Sequence, residues 1–144
     1  MPYIPLDNVP HDKGAVYIYA PNKESLQTPT PIGVIGANGQ KTYLGKLEGG
    51  KHKLFYATAG TTKFSNISES IFGNGLLGQA MSEAGRLAGE DYCKELIMDI
   101  EAGKKYCVKV HKKRVDGLKT KAVVFEKISF WQCEYELRKT IVQE

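Results

Sequence analysis

The residues of this 144-residue chain whose types could support chemistry are three cysteines, three histidines and a glycine-rich stretch. Cys93, Cys107 and Cys133 make an odd count with no Cys-x-x-Cys pair, so neither a zinc site nor a disulfide framework is indicated. His11, His52 and His111 lie far apart with no His-x-x-x-His spacing, and any shared metal or catalytic pairing would have to come from the fold. Gly73-Asn-Gly75-Leu-Leu-Gly78 matches the dinucleotide fingerprint, with Asp99 at the offset of a ribose-binding carboxylate. That motif needs a buried apolar strand before it, and SNISESIF precedes it instead. Gly33 to Gly39 runs into another strand pattern and reads as a hairpin turn. No serine sits in a nucleophile elbow. Glu134 and Glu136 alternate outward on a strand pattern and read as a solvated face. The sequence assigns no catalytic, cofactor-binding or metal-ligating residue, and it calls for no cofactor.

One charged cluster stands out. Lys109, His111, Lys112, Lys113, Arg114, Lys119 and Lys121 crowd the tip of one hairpin pattern. Concentrated positive charge there could meet lipid headgroups or an acidic polymer. Keeping a hairpin soluble and guarding its edges explains the same residues. The net charge of +4 is too mild for a nucleic-acid signature. No apolar run is long enough to span a membrane, and the opening MPYIPLDNVPHDKG has no export-signal pattern.

The elements that would position these residues read mostly as strands. Pro2, Pro5 and Pro10 mark residues 1–13 as a linker or tether, and residues 14–144 as one domain. GAVYIYA is rich in β-branched and aromatic residues, as a strand should be. Asn38-Gly39, Gly49-Gly50, Ala59-Gly60, Ala102-Gly103 and Asp116-Gly117 are turn signals between strand patterns. A type I′ turn at Asn38-Gly39 and another at Gly49-Gly50 predict a meander. Its register pairs Leu47 with His52, Gly45 with Leu54 and Tyr43 with Tyr56. A turn at Ala59-Gly60 brings Phe64 opposite Phe55, and one at Ala102-Gly103 faces Met98 towards Cys107. The last strand is expected from about Lys127 to Arg138, with Trp131, Cys133, Tyr135 and Leu137 on its apolar face. That phase sends Cys107 and Cys133 to different sides of their sheets and leaves a Cys93–Cys107 bridge open.

Between residues 74 and 90 the apolar spacing changes to i, i+3, i+4, which predicts an amphipathic helix. Gly78, Ser82, Gly85 and Gly89 form a stripe of small residues along it, suited to covering the β domain or to a homodimer contact. The expected fold is a mainly β, antiparallel β-sandwich of the immunoglobulin or prealbumin kind, with about eight strands and this one inserted helix.

The order of these features carries a family resemblance. GAVYIYAP, an Asn-Gly hairpin, YLGKLEGGKHKLFYAT and LIMDIEAGKKYCVKV follow one another, with Val16, Tyr17, Tyr19, Gly50, His52, Leu54, Gly103 and Tyr106 at the matching positions. The chain resembles the bacterial domain-of-unknown-function family two-eight-four-six, small lipoprotein-like envelope proteins distantly similar to PEGA domains. It departs from that pattern at Ala20-Pro21, where the family often has arginine, and in showing no lipidated cysteine. The resemblance implies a periplasmic or envelope setting and brings no catalytic residues. Three functions are therefore weighed. The first is a non-enzymatic accessory domain whose partner is a protein or the envelope surface. The second is a glycan- or lipid-binding module using Tyr17, Tyr19, Tyr43 and Tyr56. The third is an enzyme whose pocket joins His52 or His111 to a carboxylate or cysteine.

Overall fold

A computed structural model describes residues 3, 8–26, 28–66, 95–114 and 121–143; the side chains of residues 113, 114, 121 and 122 are not among what it describes. The chain is mainly β. Its strands are β1 (Lys13–Tyr19), β2 (Thr30–Ile35), β3 (Lys41–Leu47), β4 (Lys51–Thr58), β5 (Gly60–Ser65), β6 (Glu95–Ile100), β7 (Lys105–Arg114), β8 (Lys121–Ile128) and β9 (Ile141–Val142). Among the described residues there is one α-helix, α1 (Phe130–Leu137), between β8 and β9. The helix expected at 74–90, with its stripe of Gly78, Ser82, Gly85 and Gly89, falls outside the described residues, as do Cys93 and Lys119.

The strands form a five-stranded sheet in the order β8-β7-β1-β4-β9 and a four-stranded sheet in the order β3-β2-β5-β6. The second sheet is antiparallel throughout. The first is mixed, because β1 runs parallel to β7 and β4 parallel to β9. The mostly antiparallel pairing expected holds for the other pairs, with β1–β4 and β7–β8 antiparallel, and these two parallel pairs are the departures from it. Side chains alternate along each strand, so the register assigns every residue of the first sheet to one of two faces. Val16, Ile18, Val108, Val110 and Phe125 point to the inner face. There they share one apolar cluster with Ile32, Val34, Leu47, Phe64, Met98 and Ile100 of the second sheet. Burying each such side chain fully is worth about 1.5–3 kcal/mol, and this cluster holds the two layers together.

The meander read from turn signals is also corrected. The Asn38-Gly39 hairpin is present, joining β2 to β3 with Ile35 opposite Lys41. Its turn differs from type I′, since Asn38 lacks the positive φ that type I′ requires. Gly39 N–H donates to Gly36 O at 2.9 Å, and Gly36 N–H donates to Gln40 O at 2.9 Å. With Gly39 at φ 79°, this is a three-residue loop ending in a left-handed glycine.

The reversal at Gly49-Gly50 does not make a hairpin. It carries the chain from β3 in one sheet to β4 in the other. Leu47 pairs with Thr30, Gly45 with Ile32 and Tyr43 with Gly33, while His52 pairs with Tyr19, Leu54 with Tyr17 and Tyr56 with Ala15. A Cβ at Gly49 would come within 2.7 Å of the carbonyl oxygens of Asn22 and Lys23, so the corner requires glycine. Ala59-Gly60 and Ala102-Gly103 likewise cross between sheets. Phe64 therefore meets Val34 and Leu96, and Phe55 meets Val16. Met98 pairs with Thr62, far from the expected Cys107. β7 and β8 do pair, with Arg114 opposite Lys121 and Cys107 opposite Ile128, while the tip expected at Asp116-Gly117 lies outside the described residues.

Candidate binding surface on the outer helix

The outer face of the first sheet presents Tyr17 and Tyr19 from β1, Cys107 and Lys109 from β7, and His52 from β4. Polar atoms this deep need partners, and the C-terminal segment supplies them for Tyr19, Lys109 and His52. Residues 130–137, expected as strand, fold as α1. One turn of helix separates Cys133 from Leu137, so both face the sheet and both are fully buried. They pack with Tyr3, Tyr17, Tyr19 and Cys107 in a second cluster.

Cys107 and Cys133 form a disulfide, with Cα atoms 6.4 Å apart. The expectation that they point to different sides fails because it rested on strand phase for Cys133. Cys107 does point away from the inner core, and the helix comes to that side.

Polar bonds fasten the same helix. The Tyr19 hydroxyl donates to Glu136 Oε1 at 3.1 Å, and Lys109 Nζ lies 3.5 Å from Glu136 Oε2. Burial and the neighbouring Glu136 carboxylate push the Tyr19 phenol far above its ordinary pKa. Just past α1, the Thr140 hydroxyl donates to Leu137 O at 2.7 Å. It lies 2.8 Å from His52 Nδ1. Since its proton is already committed, Thr140 accepts and His52 carries its proton on Nδ1. Burial pushes the His52 imidazole below its ordinary value. Tyr3 closes over this site, its ring 5.4 Å from Tyr17 and 5.9 Å from His52. The chain then enters β9 beside β4, and Gln143 N–H donates to His52 O at 2.8 Å.

The opposite side of α1 is open. Trp131 is 81% exposed and Tyr135, one turn on, is 66% exposed. With Glu134 and Arg138 they line a shallow groove of about 270 Å³. Arg138 donates to Glu134 Oε1 at 3.0 Å, and Lys139 Nζ sits 4.4 Å from the Tyr135 ring centre. Glu134 and Glu136, read from sequence as a solvated face, are thus both paired. Trp131 and Tyr135, expected on one apolar face with Cys133 and Leu137, are exposed while those two are buried, because the segment is a helix.

The other sequence-derived candidates are scattered. Tyr17 and Tyr19 are buried, Tyr43 lies in the second sheet and Tyr56 in the first, so the four form no common exposed platform. His111 Nε2 lies 3.6 Å from Glu126 Oε2, an ion pair only when the imidazole is protonated. His52 bonds to a hydroxyl. His11 is exposed in the N-terminal segment. Of the basic cluster, Lys109 is engaged by Glu136 and Lys112 sits opposite Val123 on β7. Lys113, Arg114 and Lys121 are placed by their backbone only, as partners in the β7–β8 ladder. Among the described residues no group of three or more His, Cys, Asp or Glu could hold a metal.

No family model matches this chain, and neither a curated protein nor a solved structure matches it. Function is therefore argued from its own residues.

Proposed function

We propose that the chain is a non-enzymatic interaction domain of the bacterial cell envelope, whose working surface is the exposed side of α1. The observation that carries this reading is the contrast across one short helix. Its buried side is held by a disulfide and by Tyr19 and Lys109, while its open side presents Trp131 and Tyr135 to solvent. Large apolar side chains exposed together on a fixed element are a mark of a contact site. The two stacked layers with their shared apolar cluster support a sandwich of the immunoglobulin or prealbumin kind. A disulfide supports an oxidising compartment such as the periplasm. The resemblance to family two-eight-four-six is consistent with this, and its matching residues Tyr17, Tyr19, His52 and Leu54 are cross-strand partners on one face.

The test is retention on a bacterial envelope preparation, meaning membranes with attached cell wall. The native chain should be retained, and the Trp131→Ala/Tyr135→Ala double variant should be lost with its thermal midpoint unchanged. Equal retention of the two would contradict the proposal.

A further inference from the structure

The partner chemistry can be taken further, on the footing of the interaction-domain reading above. We infer that the open side of α1 docks on the headgroup region of an anionic phospholipid bilayer, with Trp131 and Tyr135 as interfacial anchors and Lys139 as the phosphate-facing cation.

Charge complementarity favours this occupant. At 100° per residue, Arg138, Trp131, Tyr135 and Lys139 make one stripe opposite the buried pair Cys133 and Leu137. The helix has two carboxylates, and each is already matched. Glu134 is held by Arg138, and Glu136 is drawn inward by Tyr19 and Lys109. Lys139 has no carboxylate within ion-pair distance among the described residues, and it rests over the Tyr135 ring. Arg138 and Glu134 cancel, so the stripe offers two amphipathic rings with the net positive charge of Lys139 beside them. Tryptophan and tyrosine favour the membrane–water boundary, where one end of the ring is apolar and the other wet. A basic residue beside them adds attraction to anionic headgroups.

Size argues the same way. Two rings bring at most about 150–250 Å² each, well under the ~800 Å² per partner of a stable protein interface. A bilayer surface accepts isolated anchors and demands no shape match. No helix among the described residues is long and apolar enough to cross a membrane, so the contact is a docking and not a span.

Trp131 is the only tryptophan of the chain, so its fluorescence reports the contact directly. The full chain, with its disulfide intact, would be titrated with vesicles of phosphatidylcholine and with vesicles also containing phosphatidylglycerol. The expected result is a blue shift of emission on the mixed vesicles and a partition about five-fold above that on phosphatidylcholine alone. Raised salt should weaken it, and Lys139→Gln should return it to the phosphatidylcholine level. Unchanged emission on both vesicles, or equal partition on the two, overturns the inference. So does a response to a soluble neutral oligosaccharide without one to vesicles. Retention on whole envelopes with no vesicle response overturns the bilayer partner alone and leaves the interaction domain standing. Failure of both overturns both.

Discussion

The two faces of the first sheet come from the same strands yet hold different chemistry. On β1, Val16 and Ile18 enter the apolar cluster between the layers, while Tyr17 and Tyr19 enter the cluster beneath α1. The inner face has little to specify beyond shape and burial. The outer face carries a phenol bonded to a carboxylate, an imidazole bonded to a hydroxyl and a covalent cross-link. Such directional contacts fix the orientation of what they hold. The difference indicates that the inner layer makes the fold, while the outer layer sets one helix in place with its aromatic side outward.

Substitutions should separate the two roles. The largest loss is expected in the inner layer. Phe64 is fully buried between the sheets, and Phe64→Ala should cost about 3–5 kcal/mol in denaturant unfolding. Cys133→Ser comes next. Cys107 and Cys133 are 26 residues apart in sequence, and opening that loop should cost about 2–4 kcal/mol. Its distinguishing sign is local, with new proteolytic cleavage near residues 130–139 while the sheets persist. Tyr19→Phe removes a hydroxyl bonded to a carboxylate and should cost about 1–3 kcal/mol by thermal or denaturant melts.

A pH series sharpens the comparison. The folded His52 binds a proton less readily than the unfolded one, whose ordinary value is 6.5. Below that value the unfolded chain takes up protons that the folded chain resists, so stability is full above it and falls as pH drops. The thermal midpoint should decline from neutral pH towards acid, and His52→Asn, which can still donate to Thr140, should flatten that decline. Trp131→Ala is expected to have the smallest effect, within about 0.5 kcal/mol, because the ring is 81% exposed. A larger cost would mean that Trp131 belongs to the core after all.

The inner layer was more legible in the sequence than the outer one. Alternation and turn residues are enough to read a mainly β chain, the Asn38-Gly39 reversal and the β7–β8 pair. They do not say whether a reversal keeps both arms in one sheet. Gly49-Gly50 supplies the backbone freedom for a turn, with Gly50 at φ 83°. The contact with Asn22 and Lys23 that makes it an inter-sheet corner is distant in sequence.

The segment 130–137 was misread for a related reason. Cys133 with Leu137, and Trp131 with Tyr135, are each four residues apart. That spacing satisfies both a strand period of two and a helical turn. The spacing alone therefore left strand and helix undecided, and on a strand all four would share one face. On a helix they split into a buried pair and an exposed pair, which is where the candidate site comes from. The disulfide was unreadable for the same reason, since it depends on which side the helix lies.

The central claim is that the outer layer is a separately fastened platform, and hydrogen exchange measured before and after thiol reduction tests it most directly. The account predicts that reduction strips protection from the amides of α1 while β1 and β7 keep theirs. Exchange of α1 unchanged by reduction, or lost together with the sheet, would contradict it.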